Sequence, residues 1–105
     1  MAENLGDPGR ETGAGPLVQI VWSRRALSDL LSIRAYIGQF NPLAAQRMTA
    51  RLQAAASGLS EYPAIGRPAG RGMRELTVVP PYVIRYQATE GMVLILRIKH
   101  GAQAV

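Results

Sequence analysis

The sequence predicts an α+β domain in which a helix hairpin packs on one face of a small, mainly antiparallel sheet, in the order β-α-α-β-β-β. Three observations predict it. A short β-branched run, Leu17-Val18-Gln19-Ile20-Val21-Trp22, comes first. Two stretches with apolar residues at spacings of three and four follow, joined only by Asn41-Pro42. The last third then holds three short strand-like runs, punctuated by Pro80-Pro81 and Thr89-Glu90-Gly91.

Each element has a local cause. The first strand, over 17–22, is preceded by a Gly/Pro cluster and ends at Ser23, whose hydroxyl suits an N-cap because it can accept from an unpaired amide of the first helical turn. Leu30, Ile33, Ile37 and Phe40 then recur on one face of a helix over 24–39. At Asn41-Pro42 the helix stops and another starts, since Asn caps and Pro fits the first helical position. In the second helix Ala45, Met48, Leu52, Ala55 and Leu59 form the stripe, and the alanines let the two helices approach closely. Glu61-Tyr62-Pro63 ends it, and residues 66–72 form a basic, glycine-rich loop. Three strands are expected over 73–79, 82–88 and 92–99.

A three-residue turn at Thr89-Glu90-Gly91 would set the register of the last hairpin by pairing Ala88 with Met92. Tyr82, Ile84 and Tyr86 would then share the core face with Leu94, Leu96 and Ile98. The opposite face would carry Val83, Arg85, Val93, Ile95, Arg97 and Lys99, with Arg85 and Arg97 as diagonal neighbours. Apolar rows mixed with cations suit a surface that a partner covers.

At 105 residues the chain has room for one core and one working surface, and no apolar run approaches the ~20 residues that span a bilayer. Cysteine is absent, which excludes disulfides and thiolate metal sites and suits a reducing cytoplasm. Residues 1–16 lack the pattern of a secretory signal and read as a disordered leader ahead of a domain over 17–105. That leader holds Glu3, Asp7 and Glu11 against Arg10 alone, so residues 17–105 keep 11 basic against 4 acidic side chains. Eleven of the 12 basic residues are arginine, which favours bidentate recognition of carboxylate or phosphate. An acidic partner is expected, either nucleic acid or an acidic protein segment.

The residues that could carry chemistry lie in the last third. His100, the sole histidine, is either a general acid or base or a hydrogen-bonding residue that ends the last strand. Arg74 and Glu75 are neighbours on one strand and point to opposite faces, so one can join a working surface while the other makes a structural ion pair. Arg74, Arg85 and His100 are the catalytic candidates. Arg85, Arg97, Lys99, Val83, Ile95, Arg67 and Arg71 are the candidates for binding a partner. The loop at 66–72 lacks the order of a phosphate-cradling P-loop, and no second histidine exists to build a metal site; no cofactor is expected.

A set of short matches runs from residue 18 to residue 103. Trp22-Ser23 with Ala26 and Asp29-Leu30, Ile33 with Tyr36-Ile37, Asn41-Pro42 with Ala44-Ala45, and Leu59 with Tyr62-Pro63 and Gly66-Arg67 come first. Arg74-Glu75-Leu76, Pro81-Tyr82-Val83-Ile84 with Tyr86, and His100-Gly101 complete them. In order and spacing the chain resembles the RelE/ParE toxins, in particular the ParE-like branch, and is expected to share their fold.

The resemblance implies the toxin half of a type II toxin–antitoxin module. Its partner would be a ParD-like antitoxin whose acidic, partly disordered C-terminal segment folds on binding, giving a hetero-oligomer in the cytoplasm. ParE-like members resemble DNA gyrase inhibitors, whereas RelE-like members resemble ribosome-dependent mRNA endoribonucleases, which would make the ribosome and mRNA the partners. RelE-like toxins generally place an arginine on the middle C-terminal strand, where this chain has Val83, with Arg85 two residues on. That departure favours the gyrase-directed reading over the nuclease; a third reading is an inactivated toxin kept as a regulatory partner.

Overall fold

A computed structural model describes residues 18–103. The expected leader and Leu17 lie outside the described residues. Strand β1 (Gln19–Trp22) leads into helix α1 (Arg24–Gly38), helix α2 (Pro42–Ser57) and a single 3-10 turn (Gly58–Ser60). Four strands follow: β2 (Arg67–Pro68), β3 (Met73–Val79), β4 (Tyr82–Thr89) and β5 (Met92–His100). They form one five-stranded sheet in the order β1-β5-β4-β3-β2, in which only β1 runs parallel to its neighbour β5. The expected α+β arrangement stands, with β2 as an addition inside the loop that lacked any periodicity.

Both helix starts form as their residues dictate. The Ser23 hydroxyl accepts from the Ala26 amide at 3.0 Å, and the Asn41 side chain accepts from the Ala44 amide at 3.0 Å with Pro42 opening α2. Ala26, Ala45 and Ala56 are buried between the elements. Leu52 and Leu59 are fully buried, each contributing about 1.5–3 kcal/mol by leaving water. They pack on Leu76, Ile84, Tyr86, Val93, Ile95 and Ile98 of the sheet.

The register of the β4–β5 hairpin corrects the expected one. Thr89 pairs with Met92, so the turn has two residues, Glu90 and Gly91, with Gly91 at φ 81°. Ala88 therefore faces Val93 and Tyr86 faces Ile95, which turns Val93 and Ile95 into the core and leaves Leu94 and Leu96 half-buried. A one-residue shift flips every side chain to the other face, and one residue of turn length causes it here. A bulge then absorbs one extra residue of β5, so that Arg97 faces Arg85 directly rather than diagonally and Ile98 returns to the core beside Ile84. Val83, expected on a partner-facing surface, is buried as well.

The short β1 leaves the second half of β5 without a neighbouring strand, and α1 supplies the missing partners. The Ser23 amide donates to the Ile95 carbonyl at 2.9 Å, the Ser23 hydroxyl donates to the Leu96 carbonyl at 3.1 Å, and the Ile98 amide donates to Asp29 Oδ2 at 2.9 Å. An edge that would otherwise invite another strand is thereby closed. No helix among the described residues is long and apolar enough to cross a membrane.

Candidate functional site

Three pairings set the outer face. Arg67 faces Glu75, Glu75 faces Arg85, and Arg85 faces Arg97, so four charged residues lie in one row across β2, β3, β4 and β5. Glu75, buried with 7 % exposure, anchors the row. Its Oε2 accepts from Arg85 Nη2 at 2.6 Å and Nε at 3.1 Å, and its Oε1 accepts from Arg67 Nη2 at 3.2 Å. The Arg85 hydrogen bond is the main force holding the Glu75 carboxyl below its ordinary pKa, against the opposing effect of burial. Arg97 turns toward α1, where its Nε and Nη2 donate to the two oxygens of Asp29 at 2.8 and 3.3 Å. That hydrogen bond raises the pKa of Arg97. The row is thus a set of ion pairs built into the sheet.

Arg74 lies on the other face, opposite Tyr86. Its Nη1 donates to the carbonyls of Gly66 at 2.7 Å and Ala64 at 3.3 Å. The Tyr86 hydroxyl donates to the Pro63 carbonyl and accepts from the Gly66 amide, both at 2.8 Å. Arg74 and Tyr86 together tie the segment after α2 onto β3 and β4. Arg71 sits exposed in the turn between β2 and β3, at φ 55° and flanked by Gly70 and Gly72.

A groove of about 660 Å³ opens around His100, between α1 and the end of the sheet. Asp29, Ser32, Ile33 and Tyr36 form its α1 wall, and Tyr82, Arg97, Ile98, Lys99 and His100 form its sheet wall with Pro81. The ring of His100 meets Tyr82 edge-on at 5.9 Å, and its Nδ1 accepts from the Ala102 amide at 3.3 Å. Burial and then the neighbouring Tyr36 push the Tyr82 phenol above its ordinary pKa. The groove therefore combines an imidazole, two phenols and the Lys99 cation. Among the described residues no group of three or more His, Cys, Asp or Glu could hold a metal ion.

The three catalytic candidates do not meet. His100 faces Tyr82 while Arg74 faces Tyr86, which puts them about 13 Å apart along β4 at the usual rise per residue. Arg85 lies between them along β4 but on the outer face. Of the binding candidates, Arg97 and Lys99 line the groove, Arg67 and Arg85 join the Glu75 row, and Val83 and Ile95 are buried. Asp29, Ser32, Tyr36 and Tyr82 are groove residues that sequence reasoning missed. Positions 29, 32, 33 and 36 do share one helical face, but only the bulge in β5 shows what that face meets.

Known proteins resemble the chain along most of its length. A profile of the family described as "ParE toxin of type II toxin-antitoxin system, parDE" matches residues 20–105. "Toxin RelE2" of Caulobacter vibrioides is 60% identical over 87 residues, covering 83% of this chain and 99% of that protein. "Putative toxin Y4kP" of Sinorhizobium fredii is 42% identical over 81% of this chain and 90% of its own length. A solved structure titled "Chromosomal ParDE TA system from P. aeruginosa" superposes with a TM-score of 0.73 at 24% identity, over 80% of this chain and 96% of that one, which is a likeness of fold.

Proposed function

Because the chain belongs to the ParE toxin family of type II toxin–antitoxin systems, we propose that it arrests growth by binding DNA gyrase and that a ParD-like antitoxin neutralises it in a cytoplasmic hetero-oligomer. The observation that carries this reading is the dispersal of the catalytic candidates. Metal-free RNA cleavage needs a base for the ribose 2′-hydroxyl, cations for the charged phosphorane and an acid for the leaving oxygen, all around one phosphate. Here Arg85 is bonded to Glu75, Arg74 to loop carbonyls, and His100 lies at the far end of β4 from Arg74. A toxin that works by contact has no need of such convergence.

The groove supports a second reading. Lys99, His100 and Tyr82 offer one cation, one imidazole and one phenol within a single concavity, and a relative of high identity carries the name RelE2. On that reading the chain is a ribosome-dependent endoribonuclease whose site is the groove rather than the Arg74–Arg85 pair. The antitoxin-free protein decides between them in two parallel assays: gyrase supercoiling with cleavage-complex formation, and mRNA cleavage on programmed ribosomes. Loss of supercoiling with intact mRNA is the expected outcome, unchanged in His100→Ala. Codon-positioned cuts with normal gyrase, abolished by His100→Ala, would overturn it.

A further inference from the structure

α1 also presents a face that nothing among the described residues covers. Leu27 and Leu31, one turn apart, are 47% and 64% exposed, and with Leu30 they line a narrow groove of about 290 Å³ closed on the α2 side by Thr49 and Gln53. Arg34 lines the same groove, and Arg24 continues the stripe one turn before Leu27, so two apolar side chains stand between two cations. None of the ion pairs among the described residues involves either arginine. The chain itself carries the complement of this stripe. Residues 1–16 precede the family match, which begins at residue 20, and they hold Glu3, Leu5 and Asp7, two acids with one large apolar side chain between them. Gly6, Pro8 and Gly9 oppose a helix there, and Pro8 drives Asp7 toward an extended backbone. In an extended segment positions 3, 5 and 7 point to one side.

We infer that residues 1–16 fold back over the α1–α2 groove as an internal strap, with Leu5 seated between Leu27 and Leu31, Asp7 on Arg24 and Glu3 on Arg34. The spacings agree. Four extended residues separate the two carboxylates by about 13 Å, and ten helical residues separate Arg24 from Arg34 by about 15 Å. The direction agrees too, since a chain traced back from Val18 reaches the Arg24 end of α1 first. Its reach is ample: Val18 and Arg24 are six residues apart, about 20 Å at most, whereas the eleven residues from Asp7 to Val18 extend to about 36 Å. Other occupants fit less well. Nucleic acid would satisfy the arginines but leave both leucines unmatched, because phosphate contacts bury no apolar surface. A second copy would set Arg34 and Arg24 against like charges, since a two-fold contact applies the same patch to itself. The strap regulates access, because anything else that uses this face competes with the chain's own leader.

The test uses the full chain, whose lack of cysteine lets a single nitroxide on Asn4→Cys report where the leader lies. Position 4 points away from the groove when 3, 5 and 7 face it, so the label leaves the contact intact. The expected result is paramagnetic broadening of the amides of 27–34 and 49–53, relieved at about 1 M salt, where the screening length falls to about 3 Å. Glu3→Arg with Asp7→Arg changes only the leader and should lower the docked-to-free ratio about fivefold. Adding Arg24→Glu and Arg34→Glu, both at exposed positions, should restore it, with thermal melts confirming that the domain stays folded. Broadening that is absent, that ignores charge reversal and salt, or that the swapped charges do not recover overturns the inference and leaves the face to a partner on another chain. Equal broadening when a spin-labelled chain is mixed with an unlabelled, isotope-enriched one also overturns it, by assigning the face to a second copy.

Discussion

Gly66→Ala tests how the segment after α2 is fixed to the sheet. A Cβ at this position would stand 2.7 Å from the Tyr86 hydroxyl, 2.8 Å from Tyr86 Cε1 and 2.8 Å from the Glu75 carbonyl oxygen. Neither neighbour can give way. Tyr86 is fully buried and held by two hydrogen bonds of 2.8 Å, and the Glu75 carbonyl belongs to β3, which is paired on both sides. The segment itself must move outward, which loosens the Gly66 amide bond to Tyr86 and the Arg74 bond to the Gly66 carbonyl. Two such bonds contribute about 1 kcal/mol each and overpacking costs about 1–3 kcal/mol, so a loss of about 3–5 kcal/mol is expected. Tyr86→Phe alone strands the buried Gly66 amide and should cost about 1–3 kcal/mol. Because that change also deletes the nearest clashing atom, the double variant should fall short of the summed losses by about 1 kcal/mol or more. Urea denaturation at constant m-value reads all three. A Gly66→Ala cost below about 1 kcal/mol, or strict additivity, would show that the segment is not pinned as described.

Other consequences follow from the charged row and the sheet edge. Glu75 has a folded pKa depressed below its ordinary value, so its stabilisation is whole above the ordinary carboxylate range and disappears as pH falls through the folded value. Glu75→Gln should therefore cost about 1–3 kcal/mol at pH 7 and flatten the acid limb of stability; an unchanged acid limb would refute the pairing. Asp29→Ala removes both the Arg97 contact and the acceptor for the Ile98 amide, an expected loss of about 2 kcal/mol, whereas Asp29→Asn keeps an oxygen for that amide and should lose about half as much. Equal losses in the two variants, measured by thermal or urea melts, would place all the stabilisation in the charge.

Much of the fold was legible because its causes are local. Ser23 and Asn41-Pro42 set both helix starts through side chains acting within one turn, and the limits of β3 follow from glycine and proline on either side. The register of the last hairpin was not legible to the same degree. Thr89-Glu90-Gly91 contains a glycine suited to either a two- or a three-residue turn, and the choice inverts every side chain of β5. Leu94, Leu96, Val93 and Ile95 are all apolar, so alternation could not decide which pair faces the core; burial of Val93 and Ile95 under the helices does. The bulge at Leu96 and Arg97 then reverses that inversion, which is why Ile98 fell on the expected face.

A count of cations does not show which of them the fold pairs with acids. An arginine on a strand reads as free to meet phosphate or carboxylate unless an acid is known to stand beside it, and the acids here come from distant positions: Glu75 lies ten residues from Arg85, and Asp29 sixty-eight from Arg97. Once those two carboxylates take up the sheet arginines, the unbalanced charge of the chain shifts to α1 and α2, where five arginines face a single acid that is already engaged. The groove at His100 lies on the opposite side of α1 from Leu27, Leu31 and Arg34, so substitutions on one side leave the lining of the other unchanged.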